Sequence, residues 1–235
     1  MSAMKMNWWI RLLDFLSPRT CVICGNRLAP SERTLCSGCL MQLPRTRFHL
    51  HPDDNPMVRL FWHLSPVRRA TAFIHFYPHT DTAEIIYRLK YHHHPDAAVD
   101  IGRLMASELQ PDGFFDGVDL LVPVPLSRKR IRQRGYNQTE QLARGISALT
   151  NIPVDTQTLR RQHFHQSQTR LSRFERRENV KDMFVLHDAI SLQHKHVLLI
   201  DDVCTTGATL IACANAMRQV EGITISVLAL GFTTH

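Results

Sequence analysis

The hydrophobic pattern is clearest toward the C-terminus. Val197 to Ile200 are four consecutive apolar residues, the length of a buried strand, and they end in two adjacent carboxylates, Asp201 and Asp202. A short Thr/Gly loop follows. From Ala208 the apolar positions Leu210, Ile211, Ala214, Met217 and Val220 recur at helical spacing, and Gly222 supplies a stop signal. Ile223 to Phe232 reads as the next strand. The pattern predicts strand, loop, helix, strand, with the polar loop at the carboxyl end of a parallel strand. Open α/β sheets bind their ligands there.

The same reading extends upstream. Arg69 to Tyr77 is rich in β-favouring residues, and helical patterns at Thr82 to Tyr91 and Ala97 to Leu109 are split by His92-His93-His94-Pro95-Asp96. The three histidines suit a solvated turn better than a metal site, because adjacent side chains rarely converge on one ion. Asp119 to Pro125 is a second buried-strand candidate, followed by a basic loop with five cations: Arg128, Lys129, Arg130, Arg132 and Arg134. A helix then starts with Asn137 as N-cap and Glu140 in capping-box position. Pro44 to Pro66 carries four prolines and reads as a connector with little regular structure. Near the N-terminus, Trp8 to Leu16 is apolar but interrupted by Arg11 and Asp14. It is too short to span a bilayer and lacks a cleavage site, so a docking helix is expected, with neither a transmembrane segment nor a signal peptide.

Composition adds little to the fold and more to the partners. The chain has 235 residues, 44% hydrophobic and 21% charged, enough for one sizeable domain plus a small module. A formal charge of +7 favours anions such as nucleotides, pyrophosphate or nucleic acid without choosing among them.

Four of the six cysteines form two CxxC pairs, Cys21/Cys24 and Cys36/Cys39, with eleven residues between the pairs. Four thiolates at this spacing match a structural zinc site with no position left open for catalysis. The alternative is a pair of disulfides, which the lack of a secretion signal disfavours. Cys213 falls in the helical pattern as a small core residue, and Cys204 lies in the loop after the carboxylates.

The loop chemistry points to a phosphorylated sugar. Thr205, Thr206, Gly207, Ala208 and Thr209 bring backbone N–H groups to a helix N-terminus, where an anion is favoured, and the hydroxyls add donors suited to phosphate. Two carboxylates beside a phosphate must face something else, namely sugar hydroxyls or a divalent cation. The basic stretch Arg160 to Arg177 places Arg170, Arg173 and Arg177 on one face if helical. Lys90 is a candidate for an anion contact or, equally, a solvent-facing helix lysine.

These residues resemble a known signature. Val197 to Thr209 look like the 5-phosphoribosyl-1-pyrophosphate (PRPP) motif of type I phosphoribosyltransferases. With the leading helix, the cysteine module, Leu89-Lys90-Tyr91, RGYNQTEQLA at Arg134 to Ala143 and QTRLSRFERREN at Gln168 to Asn179, the chain resembles the ComF/GntX family. The resemblance implies a type I phosphoribosyltransferase-like parallel sheet flanked by helices, with a small N-terminal four-cysteine zinc ribbon. It divides the chain into an amphipathic helix (1–19), the ribbon (20–43), a connector (44–66) and a phosphoribosyltransferase-like domain (67–235). By the same resemblance, Asp201 and Asp202 hold the ribose and Thr205 to Thr209 hold the 5′-phosphate. Pro125, Leu126 and Arg134 hold pyrophosphate, while Arg170, Arg173 or Lys90 close the site. Implied cofactors are structural zinc and magnesium with PRPP. Implied partners are a phosphoribosyl ligand, single-stranded DNA and a helicase-like DNA-uptake protein. The family is linked to competence or to DNA as a nutrient, and the implied location is the cytoplasm, at the inner face of the membrane through partners. A non-catalytic DNA-processing module with a regulatory nucleotide site is the other reading.

Overall fold

The structure, a computed structural model, describes residues 19–80, 83–91, 95–162 and 183–233. In chain order its elements begin with α1 (Ser37–Gln42), a 3-10 turn (Phe48–Leu50), α2 (Pro56–Arg59), β1 (Val67–His75), α3 (Ala83–Tyr91) and α4 (Pro95–Leu109). They continue with β2 (Leu120–Pro123), α5 (Arg128–Arg134), α6 (Gln138–Thr150), β3 (Leu159–Arg161) and β4 (Phe184–Leu186). The last are β5 (His196–Cys204), α7 (Ala208–Ala216) and β6 (Thr224–Phe232).

The run that opened the sequence reading is β5, a central strand of a four-stranded parallel sheet with spatial order β1-β6-β5-β2. Val197, Leu198, Leu199 and Ile200 all have 0% exposure, because both faces of the sheet are covered. Leu198 and Ile200 pack in one cluster with Ile101 and Met105 of α4 and Leu142 and Ile146 of α6. Val197 and Leu199 pack in the other with Leu210 and Cys213 of α7 and with Met57 and Phe61. Burial of each such side chain contributes about 1.5–3 kcal/mol.

Helices α4 and α6 approach until their backbones touch. A Cβ on Gly102 would lie 2.2 Å from the Leu142 carbonyl oxygen, and one on Gly145 only 2.0 Å from that of Val99. Only hydrogen fits at either crossing position. This contact sets where the first turn of α6 stands relative to the sheet.

Three local readings differ from the sequence expectation. The proline-rich connector contains α2, whose Asn55 N-cap is buried: its Oδ1 accepts from the N–H groups of Met57 (2.9 Å) and Val58 (3.0 Å). Its Nδ2 donates to the Ala70 carbonyl of β1 at 2.8 Å, so the segment is a lid on the core rather than a tether. The basic stretch after Ser127 is helix α5, not a loop. Ser127 caps it by accepting from Arg130 N at 3.3 Å, Gly135 ends it at φ +77°, and its Arg, Lys and Gln residues are good helix formers. Asn137 does cap α6, accepting from Thr139 N at 3.2 Å, but Glu140 reaches forward to Arg144 (2.8 Å) instead of closing a box.

The cysteine module packs on α3 and α4. Cys21, Val22, Leu28 and Leu35 share the buried cluster that holds Ile85, Leu89 and Ile101. Thr34 donates to Asp100 of α4 at 3.0 Å, and Arg45, at the end of the module, makes a two-pronged contact with Glu108 at 2.6 and 3.1 Å.

Candidate functional site

Strand β5 delivers Asp201 and Asp202 to the carboxyl edge of the sheet. Asp201 is 8% exposed, and burial, then the charge of Asp202, pushes its carboxyl up to about 8. Its Oδ1 accepts from the Asp202 N–H at 2.8 Å. Asp202 points toward two partners on other elements. Its Oδ2 accepts from Gln138 Nε2 at 2.6 Å and lies 3.1 Å from the Lys90 ammonium.

Gln138 is held firmly because it opens α6. On either side of it, Asn137 Nδ2 and Thr139 Oγ1 both donate to the Val124 carbonyl, at 3.1 and 2.9 Å, bolting the helix start to the end of β2. The Gln138 side chain is buried, and among the described residues its Oε1 has no donor. A buried acceptor left unpaired costs about 1–3 kcal/mol.

After the acids the chain turns sharply. The Cys204 thiol is buried, which pushes it up to about 12 and leaves it inert. Gly207 takes φ +73° as the N-cap of α7 and has no side chain to offer the first turn. The N–H groups of that turn are therefore available to an anion. Leu60 and Phe61, from the connector, pack 3.6 Å from where a Gly207 Cβ would stand and brace the loop from beneath.

These parts surround a cavity of about 410 Å³. Of the residues expected from sequence, Lys90, Pro125, Leu126, Arg134, Asp201, Asp202, Thr205 and Thr209 line it. Thr206 and Ala208 are exposed on the loop, and Gly207 is buried under it. Arg170 and Arg173 lie outside the described residues. Among the polar lining residues, Gln138 and Arg161 have no individual role in the sequence analysis, and Arg130 appears there only as one cation of the basic stretch. Gln138 does stand inside the RGYNQTEQLA stretch, the one available signal.

At the ribbon, the sulfurs of Cys21, Cys24, Cys36 and Cys39 all lie within 4.8 Å of one another, and those of Cys24 and Cys36 are 3.8 Å apart. Zinc–sulfur bonds of about 2.3 Å in a tetrahedron imply edges of roughly 3.8 Å, so the cluster fits zinc. Burial opposes ionisation of Cys21, but N–H groups of Cys36, Cys24 and Ile23 outweigh it and bring the thiol down to about 7. All six cysteines are free thiols.

Paired carboxylates, a glycine-turned anion loop and a basic wall at the edge of a parallel sheet accompany a fold of the phosphoribosyltransferase-like class. The chain belongs to the phosphoribosyl transferase domain family, which it matches over residues 90–230. Its relatives are consistent with the ComF branch. It is 29% identical to the DNA utilization protein YhgH of Escherichia coli O157:H7 over 213 residues, 89% of this chain and 88% of that protein. It is 27% identical to Competence protein F of Haemophilus influenzae over 241 residues, 93% and 99% of the two chains. Among solved structures, the allosteric regulatory enzyme of purine biosynthesis aligns with a TM-score of 0.41 and 17% identity, over 60% of this chain and 29% of that one.

Proposed function

We propose that the protein binds PRPP with magnesium and transfers its phosphoribosyl group, in the service of DNA uptake or of the use of DNA as a nutrient. The observation that carries this reading is Asp202, held by Gln138 and Lys90 beside the uncapped start of α7. The loop Thr205 to Thr209 takes the 5′-phosphate through backbone N–H groups and hydroxyls. The ribose hydroxyls bond to the Asp202 carboxylate and the Asp201 carboxyl, with Asp202 kept in place by the Gln138 amide. Arg134 and Lys90 face the leaving pyrophosphate, where fixed positive charge is worth most. Magnesium, when bound, would neutralise pyrophosphate charge and assist its departure. Asp201 carries a proton below about pH 8, so it presents less repulsion to a polyanion than a bare pair of carboxylates would.

Isothermal titration of PRPP and magnesium into the zinc-loaded chain tests this reading, with the Asp201→Asn/Asp202→Asn variant as control. Saturable binding lost in the variant is expected, followed by base-dependent pyrophosphate release. Absence of binding to the native chain would remove the transferase reading.

A second reading is favoured by α5, where Arg128, Lys129 and Arg132 are exposed and make no ion pair among the described residues. Such a face suits single-stranded DNA. Its binding would weaken steeply with salt and would survive the double Asp→Asn change.

A further inference from the structure

Arg161 lines the same cavity as the two carboxylates, yet it comes from the β3–β4 hairpin rather than from the loops at the edge of the main sheet. Its guanidinium stands 5.6 Å from the centre of the Phe184 ring. Phe184 is buried in one cluster with Leu210 and Cys213 of α7, so Arg161 is held close to that helix. The first turn of α7 is the one Gly207 leaves uncapped.

The surroundings of Arg161 disfavour a lone charge. It is half-buried, desolvation and then the charge of Arg130 both work against its protonation, and Arg130 lines the same cavity. Among the described residues, no carboxylate or carbonyl accepts a hydrogen bond from either guanidinium. Arg130 is exposed and its charge also acts on the Asp201 carboxyl, but neither arginine is hydrogen-bonded to an acceptor among the described residues, so an anion in the cavity would relieve the repulsion that Arg130 exerts on the half-buried Arg161. The planar fork of arginine matches the oxygens of phosphate in particular.

We propose that Arg161 and Arg130 form a seat for a phosphate dianion and that this contact ties the β3–β4 hairpin to the ligand. The inference rests on the sugar-phosphate reading of the cavity for the identity of the ligand, though not for the seat itself. Proximity to α7 makes the 5′-phosphate of a ribosyl ligand the occupant. Pyrophosphate is the other source of the same chemistry.

The test is calorimetric titration of the full zinc-loaded chain with inorganic phosphate, ribose 5-phosphate and pyrophosphate, each without magnesium. The native protein is compared with Arg161→Gln, Arg161→Lys, Arg130→Gln and the Arg161→Gln/Arg130→Gln double variant. Arg161→Gln should weaken ribose 5-phosphate about 10-fold or more, the size expected for losing a charged hydrogen-bond donor. Arg161→Lys should lose less, and the double variant should lose less than the product of the two single losses, since the donors share one anion. Hydrogen exchange at residues 159–161 and 184–186 should slow when ribose 5-phosphate binds the native chain but not Arg161→Gln. A larger loss for pyrophosphate than for ribose 5-phosphate would keep the seat and reassign its occupant. Ribose 5-phosphate binding that needs Arg161, in a chain that does not bind PRPP, would keep the seat and remove the transferase reading. Equal affinity of native and Arg161→Gln chains for all three ligands, or no saturable phosphate binding to the native chain, would overturn the seat. Should Arg161→Gln not fold, unchanged affinities in both Arg161→Lys and Arg130→Gln would overturn it equally.

Discussion

Replacing Asp201 with asparagine should stabilise the ligand-free protein, and by an amount that grows with pH. The side chain is buried with its carboxyl pushed up to about 8 from an ordinary 3.8. The folded state therefore holds a proton that the unfolded chain releases near pH 4. The native protein is most stable, as far as this group is concerned, below its unfolded pKa, and it loses that stability as pH rises toward 8. Each pH unit in that window is worth about 1.4 kcal/mol, so the ceiling between pH 5 and pH 8 is about 4 kcal/mol. Water entering the cavity and the Lys90 ammonium near Asp202 reduce the cost of ionisation, and about 2 kcal/mol is the expected difference. Asparagine keeps the acceptor for the Asp202 N–H and has no proton to lose. Urea denaturation of native and Asp201→Asn proteins, zinc-loaded and ligand-free, at intervals from pH 5 to pH 9 measures the effect. Zinc affinity also varies with pH, but it cancels in the difference between the two proteins. A gap that stays flat with pH, or that narrows as pH rises, would show that Asp201 is ionised in the folded protein at neutral pH.

Gly145→Ala should cost about 3 kcal/mol or more, because its methyl group would meet the Val99 carbonyl at 2.0 Å and backbone cannot yield cheaply; an unchanged urea midpoint would show that α4 and α6 do not touch there. Gln138→Met should weaken PRPP binding about 10-fold by freeing Asp202, while leaving thermal stability unchanged or raised because an unpaired buried oxygen is removed; a large loss of stability would argue that Oε1 has a partner. Chelation should release one zinc per chain and lower the melting temperature of the main transition, since Cys21, Val22 and Leu35 belong to the core; a separate early transition, with the main one unmoved, would contradict that coupling.

The central strand, the acids and the glycine turn were legible because each depends on local chemistry: an apolar run, a charge pair and a helix start. Lys90 was legible only as one of two alternatives, since helical spacing cannot say which neighbour lies across a gap. The distance of 3.1 Å to Asp202 belongs to tertiary packing. Asn55 and Phe61 were hidden by the prolines around them, which signal irregular backbone and say nothing about burial. The basic stretch was read as a loop because its charges gave no apolar face. A helix that buries no residue, such as α5, has none to give. Arg161 and Gln138 reach the site through the β3–β4 pairing and the α4–α6 contact, and neither pairing leaves a periodic mark near those residues.

The position of β6 bears on how the protein is made. This last strand lies between β1 and β5, pairing Val67 with Ile225 and His75 with Phe232 on one side and Val197 with Ile225 on the other. During synthesis β1 emerges about 150 residues before its sheet neighbour exists, and such long loops close slowly. Until then β1 and β5 have open edges, and the carboxylates sit on a strand with only β2 to pair with. The nascent chain therefore has no ligand cavity to protect it, and the stretch most exposed to chaperones, proteases and mispairing is the hydrophobic strand that later sits deepest in the core.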